Sequence, residues 1–243
     1  VGWADTGFER EVCVSGAWNY CRWRSDDASF YRKSLIMRLA ILGAGGHGKV
    51  IADMAMLLGY TDVGFFDDAW PKKSTISRWS VIGTTEMLLG SMAGFDAVIA
   101  GIGHNRVRLE KHGLLAAGGA PLVTLVHPAG MVSNFAQIGM GSMICARAVV
   151  NVDATLGAGG IVNTGATVDH DCQLAEGVHV APGANLSGDV QVGVRSWIGV
   201  GACVKQGINI GSDVTVGAGT VVVSDIPDGV TVGGNPARQI VSK

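Results

Sequence analysis

Three parts of the sequence carry residues that could do chemistry, and the first is a histidine between two carboxylates. In the segment VDHDC, His170 stands between Asp169 and Asp171. The ring of an ordinary histidine titrates at a pH of about 6.5, and neighbouring carboxylates favour its charged form and fix which ring nitrogen bears the proton. His170 therefore suits the work of a general base, while the structural alternative is an exposed polar side chain. A second histidine, His179, follows nine residues later.

The second part is a glycine turn. Gly43, Gly45 and Gly48 have the spacing GxGxxG, between the apolar segment RLAIL and a run of apolar residues whose spacing predicts a helix through Leu58. Glycine lets the backbone approach a phosphate closely, and the N-terminus of a helix offers free N–H groups and the positive end of the helix dipole. The turn is thus a candidate phosphate site, although the same glycines could serve only to pack the helix against the strand.

The third part is a pair of carboxylates at the end of the next predicted strand. Asp67 and Asp68 follow the strand Asp62 to Phe66, and they lie roughly 20 residues beyond the glycine turn, where a dinucleotide fold places the residue that binds ribose. Another predicted strand, Ala97 to Ala100, places Gly103 at the same ligand-binding edge of an open α/β sheet.

The segment that holds the turn and the carboxylates is small. About 80 residues separate Met37 from the start of a long repeat, which is enough for one mononucleotide-binding half and too little for both halves of a dinucleotide fold. We therefore predict a site for a mononucleotide or a sugar nucleotide. Arg106 and Arg108 are predicted to lie on a solvated helix and not to clamp a phosphate.

The rest of the chain repeats every six residues. Seventeen successive positions at this spacing are all Val, Ile or Leu: Val126, Val132, Ile138, Ile144, Val150, Leu156, Val162, Val168, Leu174, Val180, Leu186, Val192, Ile198, Val204, Ile210, Val216 and Val222. The position four residues after each of these excludes large, charged and aromatic side chains. One aliphatic and one small inward residue in each unit predict a parallel β-helix, in which short strands alternate with tight corners. Cys172 takes the small inward place, so we predict that it packs and is not a nucleophile.

The composition excludes several classes of protein. Of the 243 residues, 48% are hydrophobic and 16% charged, and 18 basic side chains oppose 20 acidic ones. A disordered chain would carry more charge, a nucleic-acid-binding protein would usually carry a basic excess, and no apolar stretch is long enough to span a bilayer. The five cysteines form no CxxC pair and follow no apolar signal segment, which disfavours a disulfide framework and makes the cytoplasm the default location. They are Cys13, Cys21, Cys145, Cys172 and Cys203.

Several of these motifs together resemble one family. The segments GAGGHGKVIADMA, FFDD, IGHN, VNTGATVDHDCQLAEGVHVAPGANLSGDV and GGNPAR are similar to those of the bacterial sugar O- and N-acetyltransferases of the hexapeptide-repeat type, and the resemblance runs from Met37 to about Val241. The family includes sialic acid O-acetyltransferases and acetyltransferases of UDP-linked 4-amino-4,6-dideoxy sugars. It implies a Rossmann-like half domain, at residues 37–122, followed by a left-handed parallel β-helix, at residues 123–243.

The resemblance also implies roles for individual residues. In the family the first domain holds the sugar nucleotide, and the β-helices form a homotrimer with acetyl-CoA in the cleft between subunits. Carried over, the catalytic base is His170, with Asp171 raising its basicity. The sugar nucleotide is assigned to Gly45, Gly46, His47, Asp67, Asp68 and Gly103, and acetyl-CoA to His179, Gly188, Val200 and Ala218. From the composition and the spacing of the histidines and cysteines we expect no metal, no nucleic acid and no membrane insertion.

The expected function is therefore transfer of the acetyl group of acetyl-CoA to the amino group of a nucleotide-linked, specifically UDP-linked, 4-amino-4,6-dideoxy sugar in the synthesis of cell-surface glycans. The first alternative is O-acetylation of sialic acid or another surface sugar, since no residue identified so far separates an amine acceptor from a hydroxyl. A non-catalytic nucleotide-binding scaffold is a second alternative, disfavoured because a candidate base and its acidic neighbour are both present. A zinc carbonic anhydrase would need a third ligand beside His170 and His179, and none stands at a plausible spacing.

Residues 1–36 match nothing in the family. They carry three of the six tryptophans and show neither periodicity nor a hydrophobic run, and Met37 directly precedes the first predicted strand. We expect this leader to be disordered or non-native, with the functional fold beginning at Met37.

Overall fold

The computed structural model describes residues 37–240, which belong to one compact unit. The predicted leader, residues 1–36, lies outside the described residues. No helix within 37–240 is long and apolar enough to cross a membrane.

The first part of the described chain is a five-stranded sheet with helices, and the predicted strands and first helix are all present. Its elements are β1 (Arg38–Leu42), α1 (Gly46–Leu57), β2 (Asp62–Phe66), β3 (Thr75–Ile76), β4 (Trp79–Gly83), α2 (Thr85–Ser91), a short 3-10 helix (Met92–Gly94), β5 (Ala97–Ala100) and α3 (Asn105–Ala117). The strand order is β3-β4-β2-β1-β5, in which only the β3–β4 pair is antiparallel. The chain thus moves outward from β1 to β4 and then returns to the other side of β1, as in one half of a Rossmann fold.

Apolar side chains explain why β1 lies at the centre of this sheet. Leu39 and Ile41 are fully buried on one of its faces, with Ile51 of α1 and Phe65 of β2 in the same cluster. A parallel strand that is covered on both faces consists mainly of apolar residues, and β1 is apolar at every position after Arg38.

The second part of the described chain is a parallel β-helix. Seventeen two-residue strands, β6 to β22, follow one another every six residues, and a closing hairpin adds two more. They are β6 (Leu125–Val126), β7 (Met131–Val132), β8 (Gln137–Ile138), β9 (Met143–Ile144), β10 (Val149–Val150), β11 (Thr155–Leu156), β12 (Ile161–Val162), β13 (Thr167–Val168), β14 (Gln173–Leu174), β15 (His179–Val180), β16 (Asn185–Leu186), β17 (Gln191–Val192), β18 (Trp197–Ile198), β19 (Cys203–Val204), β20 (Asn209–Ile210), β21 (Thr215–Val216), β22 (Val221–Val222), β23 (Thr231–Gly233) and β24 (Arg238–Gln239).

These strands form three sheets, which are the three faces of the β-helix. Face 1 contains β6, β9, β12, β15, β18, β21 and the closing hairpin, face 2 contains β7, β10, β13, β16, β19 and β22, and face 3 contains β8, β11, β14, β17 and β20. Each residue pairs with the one 18 positions further on, as Ile161 does with His179 and His179 with Trp197. We name the turns between faces corner 1–2, corner 2–3 and corner 3–1.

The six-residue repeat predicted from the sequence is confirmed. The second residue of every strand from β6 to β22 is the predicted aliphatic, and these side chains form one continuous inner core with the small corner residues. Burying one such aliphatic side chain contributes roughly 1.5–3 kcal/mol. The third residue of many corners has a positive φ, and at corner 2–3 this residue is often an aspartate, as at Asp171, where φ is 61°. Aspartate tolerates this conformation better than most residues do.

The α/β part covers the first coils of face 1. The outward residues Leu125, Met143 and Ile161 of face 1 are buried in the same apolar cluster as the core of the α/β part. Helix α3 lies along corner 3–1, where the side chain of His112 contacts Gly141 and Gly159. This docking places the carboxyl ends of β1 and β5 against the middle coils of the β-helix.

Candidate active site

The ligand-binding edge of the α/β sheet brings the predicted nucleotide residues together. The glycine turn follows β1 and Gly103 follows β5, and the strand order reverses between these two strands. Open α/β sheets bind ligands in the crevice at such a reversal. The N–H of Gly101 donates to the carbonyl of Leu42 at 2.7 Å, which joins the two loops directly.

The glycines of the turn divide into two kinds. A Cβ on Gly48 would overlap the carbonyl oxygen of Gly43, so Gly48 is required for close packing of α1 against the strand. Gly45 and Gly46 face open space, with no protein atom within 4 Å of a Cβ placed on either, and no side chain caps the N-terminus of α1. The protein itself therefore gives no reason for glycine at positions 45 and 46, whereas a ligand that approaches the backbone would.

His47 adds an unpaired polar atom to the same turn. Its Nε2 is buried and has no hydrogen-bond partner among residues 37–240. Burial, followed by the charge of Arg108, lowers the pKa of His47 to about 4. The ring is therefore neutral at physiological pH, and its orphan nitrogen is a candidate ligand contact, because buried polar atoms are almost always paired.

Asp67 and Asp68 lie at the predicted edge, but the protein already uses their carboxylates. Asp67 accepts hydrogen bonds from the N–H of Ala44, at 2.8 Å, and from that of Ala69, at 3.0 Å. The carboxylate of Asp67 thus holds the glycine turn in place, and a ligand could share only its remaining lone pairs.

Asp68 holds two helices together. It accepts from the N–H of Thr85 at the start of α2 and from Nζ of Lys111 in α3, both at 2.8 Å. The hydrogen bond from Lys111 and that from Thr85 lower the pKa of Asp68 to about 2.

His179 is the outward residue of β15, but the α/β part covers it, and only 9% of its surface is exposed. Burial is the main reason that its pKa falls to about 3. Asn163 accepts from the N–H of Thr164 through its Oδ1, so its Nδ2 faces Nε2 of His179 at 3.0 Å. Because Nδ2 can only donate, Nε2 of His179 is an acceptor and the neutral ring carries its proton on Nδ1.

Arg108 was predicted to lie on a solvated surface, and this prediction is wrong. The side chain is fully buried, and its five N–H groups all donate to neutral oxygens. The acceptors are the carbonyls of Ile102, Gly103, Gly159 and Gly177 and the Oδ1 of Asn105, at 2.7–3.0 Å. Arg108 thereby ties the loop after β5 to two coils of the β-helix. Arg106 does lie at the surface, where it pairs with Asp213.

Sequence reasoning missed Asn105, Arg108 and Asn163. Asn105 donates through Nδ2 to the carbonyls of Arg195 and Ser196, which fixes the start of α3 on the β-helix. The repeat could have indicated Asn163, because the residue 18 positions before His179 is Ile161 and Asn163 follows it at the next corner. No comparable signal exists for Asn105 and Arg108, whose partners on the β-helix lie 51 to 91 positions away.

His170 lies at corner 2–3 with its side chain 55% exposed. Its Nδ1 is 2.7 Å from Oδ2 of Asp171, and its main-chain N–H donates to Asp169. The hydrogen bond to Asp171 raises the pKa of His170 above its usual value, and the charges of Asp169, Asp171 and Asp189 add to the effect. Gly188 lies directly under the ring, where a Cβ would overlap it.

The remaining predicted acetyl-CoA residues, Val200 and Ala218, lie 18 positions apart at corner 1–2 and are exposed. Corner 1–2 also holds Asn163, the partner of His179. Gly188 belongs instead with His170 at corner 2–3. The predicted cofactor residues therefore lie on face 1, at corner 1–2 and at corner 2–3.

The predicted site residues thus form two groups within one chain. The glycine turn, Gly103 and His179 meet where the α/β part covers face 1, whereas His170, Asp171 and Gly188 lie at corner 2–3. In a three-faced coil, corner 2–3 is the edge opposite face 1. One chain alone does not bring the two groups together.

Comparison with known proteins matches this architecture. The chain is 48% identical in sequence to the acetyltransferase domain of PglB from Neisseria gonorrhoeae FA1090, solved in complex with acetyl coenzyme A; the match covers 84% of this chain and 98% of that one, with a TM-score of 0.79. The chain belongs to this family of bacterial sugar acetyltransferases. Its family assignment and its fold class, an α/β half domain followed by a left-handed β-helix, are as predicted from the sequence.

A domain model and two further relatives also match this chain. Residues 38–113 match the PglD N-terminal domain. PerB from Caulobacter crescentus, solved with CoA and GDP-perosamine, is 36% identical over 85% of this chain and 99% of that one, with a TM-score of 0.80. The UDP-N-acetylbacillosamine N-acetyltransferase of Bacillus subtilis (strain 168) is 37% identical over 114 residues, which are 44% of this chain and about half (51%) of that enzyme.

Proposed function

We propose that this protein transfers the acetyl group of acetyl-CoA to the amino group of a nucleotide-linked 4-amino-4,6-dideoxy sugar, with His170 as the general base. The observation that carries the proposal is the His170–Asp171 pair, exposed at a corner of the β-helix in a chain whose 48%-identical relative was solved with acetyl-CoA. The open glycine turn supports a second substrate that bears phosphates.

The geometry at corner 2–3 suits proton transfer. With Nδ1 held by Asp171 at 2.7 Å, the proton of the neutral ring lies on Nδ1 and the lone pair of Nε2 faces solvent. As the amine nitrogen attacks the thioester carbonyl carbon, Nε2 takes a proton from that nitrogen. The C–S bond then breaks, the acetyl group stays on the sugar nitrogen, and the CoA thiolate leaves and takes up a proton. The carboxylate of Asp171 stabilises the charged ring that forms in between.

The glycine turn is the proposed site of the nucleotide diphosphate. The free N–H groups at the N-terminus of α1 point to the space beside Gly45 and Gly46, where the helix dipole favours negative charge. The unpaired Nε2 of His47 and the exposed backbone of Gly103 border the same crevice. Asp67 and Asp68 contribute mainly by holding the turn and α2 in place.

The separation of the two groups within one chain supports a shared site. We propose that the protein is a homotrimer in which corner 2–3 of one copy, carrying His170 and Gly188, faces the glycine turn and His179 of its neighbour. Acetyl-CoA would lie between them, in contact with Val200 and Ala218. Since Nε2 of His179 accepts from Asn163, His179 would bind acetyl-CoA only by exchanging that partner.

The relatives favour an amine acceptor over a hydroxyl. Two of them are named as N-acetyltransferases: the Bacillus enzyme for UDP-N-acetylbacillosamine, and a Caulobacter enzyme for GDP-perosamine that was also solved with a histidine replaced by alanine. We propose a UDP-linked substrate, as in the name of the Bacillus relative, and the GDP-linked sugar bound to PerB is the alternative. The free thiols at Cys145, Cys172 and Cys203 are compatible with a cytoplasmic location.

The proposal is tested by product analysis. The protein is incubated with acetyl-CoA and, separately, a UDP-linked 4-amino-4,6-dideoxy sugar, GDP-perosamine and free sialic acid, and the products are identified by mass spectrometry and NMR. We expect an acetamide on the UDP sugar, and turnover at least about 100-fold lower for His170→Ala with unchanged circular dichroism. An O-acetyl product would identify the alternative acceptor, and full turnover by His170→Ala would remove the histidine from the mechanism.

A further inference from the structure

A column of outward side chains runs along face 1 toward the candidate site. Its members are spaced 18 residues apart: Leu125, Met143, Ile161, His179, Trp197 and Thr215. The first four are buried beneath the α/β part, and His179 is the last of these. Trp197 is the first member of the column that is partly exposed. The first residue of the column that the α/β part leaves partly exposed is therefore aromatic.

Trp197 lies beside the loops of the ligand-binding edge. Its ring meets that of His179 edge to face, at 6.4 Å between centroids, and the ring of His179 is 6.1 Å from that of His47 in the glycine turn. Asn105 binds the carbonyls of Arg195 and Ser196, the two residues that precede Trp197. The loop from Gly103 to Asn105 is thus fixed directly next to β18, on which Trp197 stands.

We infer that Trp197 is the platform on which the sugar ring of the nucleotide sugar rests. This inference deepens the proposed function and rests on it. A ligand whose diphosphate lies at Gly45 and Gly46 has its sugar beyond the phosphates, and Trp197 presents a partly exposed aromatic surface next to the loops of that crevice. The C–H face of a sugar ring and the methyl group of a 6-deoxy sugar are apolar, so an indole suits them while the hydroxyl groups stay hydrated.

In this proposal the nucleotide diphosphate of the ligand does not contact Trp197. The nucleotide diphosphate is assigned to the glycine turn, His47 and Gly103, none of which belongs to the β-helix. Trp197 should therefore affect the affinity for the sugar-bearing ligand and leave the affinity for the bare nucleotide unchanged. A residue that only supports the fold would change both affinities together.

Calorimetry with four proteins tests this separation. Wild type, Trp197→Ala, Trp197→Phe and the control Thr215→Ala, which alters the next residue of the same column, are titrated with the UDP-linked 4-amino-4,6-dideoxy sugar, with UDP alone and with acetyl-CoA. We expect Trp197→Ala to bind the UDP sugar about tenfold more weakly, with its affinities for UDP and acetyl-CoA unchanged. Trp197→Phe should keep most of the affinity, and Thr215→Ala should match wild type.

Two results would overturn the inference. One is a Trp197→Ala protein that binds the UDP sugar as tightly as wild type does. The other is an equal loss for the UDP sugar and UDP, which would give Trp197 a structural role; melting temperatures of all four proteins accompany the titrations. If wild type itself binds and acetylates no nucleotide sugar, the proposed function fails, and that outcome is read from the wild-type protein alone.

Discussion

At the scale of single residues, the pKa values of His170 and His179 shift in opposite directions because the surroundings of the two side chains differ. His170 is exposed among aspartates, and the hydrogen bond to Asp171 raises its pKa. His179 is buried beside Arg108 and His47, and burial lowers its pKa to about 3. The surroundings of His170 therefore favour its charged form, whereas His179 stays neutral and acts by hydrogen bonding.

Asp171→Asn should move the pH profile of the reaction. A base must be neutral to take a proton, so kcat/KM of wild type should fall as the pH drops through the pKa of His170, which the hydrogen bond to Asp171 raises above its usual value. Removing the carboxylate removes the main cause of the raised pKa, so the acid limb of the profile should move to lower pH, with a maximum turnover about tenfold lower. The pH dependence of kcat/KM is the measurement.

Asp153→Asn is the matched control for Asp171→Asn. Asp153 occupies the same corner position one coil earlier, with a φ of 59°, and it is not one of the carboxylates that raise the pKa of His170. The pH profile of kcat/KM for Asp153→Asn should coincide with that of wild type. Equal profiles for the two variants would contradict the role assigned to Asp171.

At the scale of elements, we expect one substitution in the glycine turn to weaken ligand binding and another to lower stability. Gly46→Ala places a methyl group in open space, so its melting temperature should be unchanged, but the group enters the proposed phosphate site and should weaken UDP binding at least tenfold. Gly48→Ala places a methyl group against the carbonyl of Gly43 and should lower the melting temperature. Thermal unfolding and UDP titration of both variants provide the check; normal UDP affinity for Gly46→Ala would argue against the site.

Helix α3 offers a second pair of variants. Arg108→Met leaves five oxygens without their donor, three of them in buried hydrogen bonds, and should reduce the free energy of unfolding by about 3 kcal/mol or more. Arg106→Met removes only an exposed ion pair with Asp213 and should cost less than about 1 kcal/mol. Urea unfolding compares the two, and similar losses would mean that Arg108 does not hold α3 on the β-helix.

These elements also show what a sequence can and cannot predict. The β-helix follows from side chains six residues apart, so the repeat alone placed all seventeen strands. The burial of Arg108 and His179 depends on how the α/β part docks, through contacts such as that of Arg108 with Gly177, 69 positions away. Arg106 and Arg108 near the start of α3 predict a solvated helix. Only the docked structure shows that Arg108 faces the β-helix and Arg106 faces solvent.

At the scale of the whole molecule, the arrangement of faces and corners separates the two groups of predicted site residues within one chain. The glycine turn and His179 lie at face 1, and His170 lies at the opposite corner. A closed trimer of identical chains would place three such corners against three such faces. The proposed active site therefore exists only where two copies meet.

Complementation between two inactive variants tests this claim most directly. His170→Ala lacks the base, and Gly46→Asp places a negative charge in the proposed phosphate site while suiting the N-terminus of α1. Each variant alone should show turnover at least about 100-fold below wild type. Hybrid assemblies, coexpressed with two different tags and purified on both, should regain about one third of the wild-type turnover, because one of the three sites combines an intact His170 with an intact turn. Hybrids as inactive as their parents would contradict the shared site.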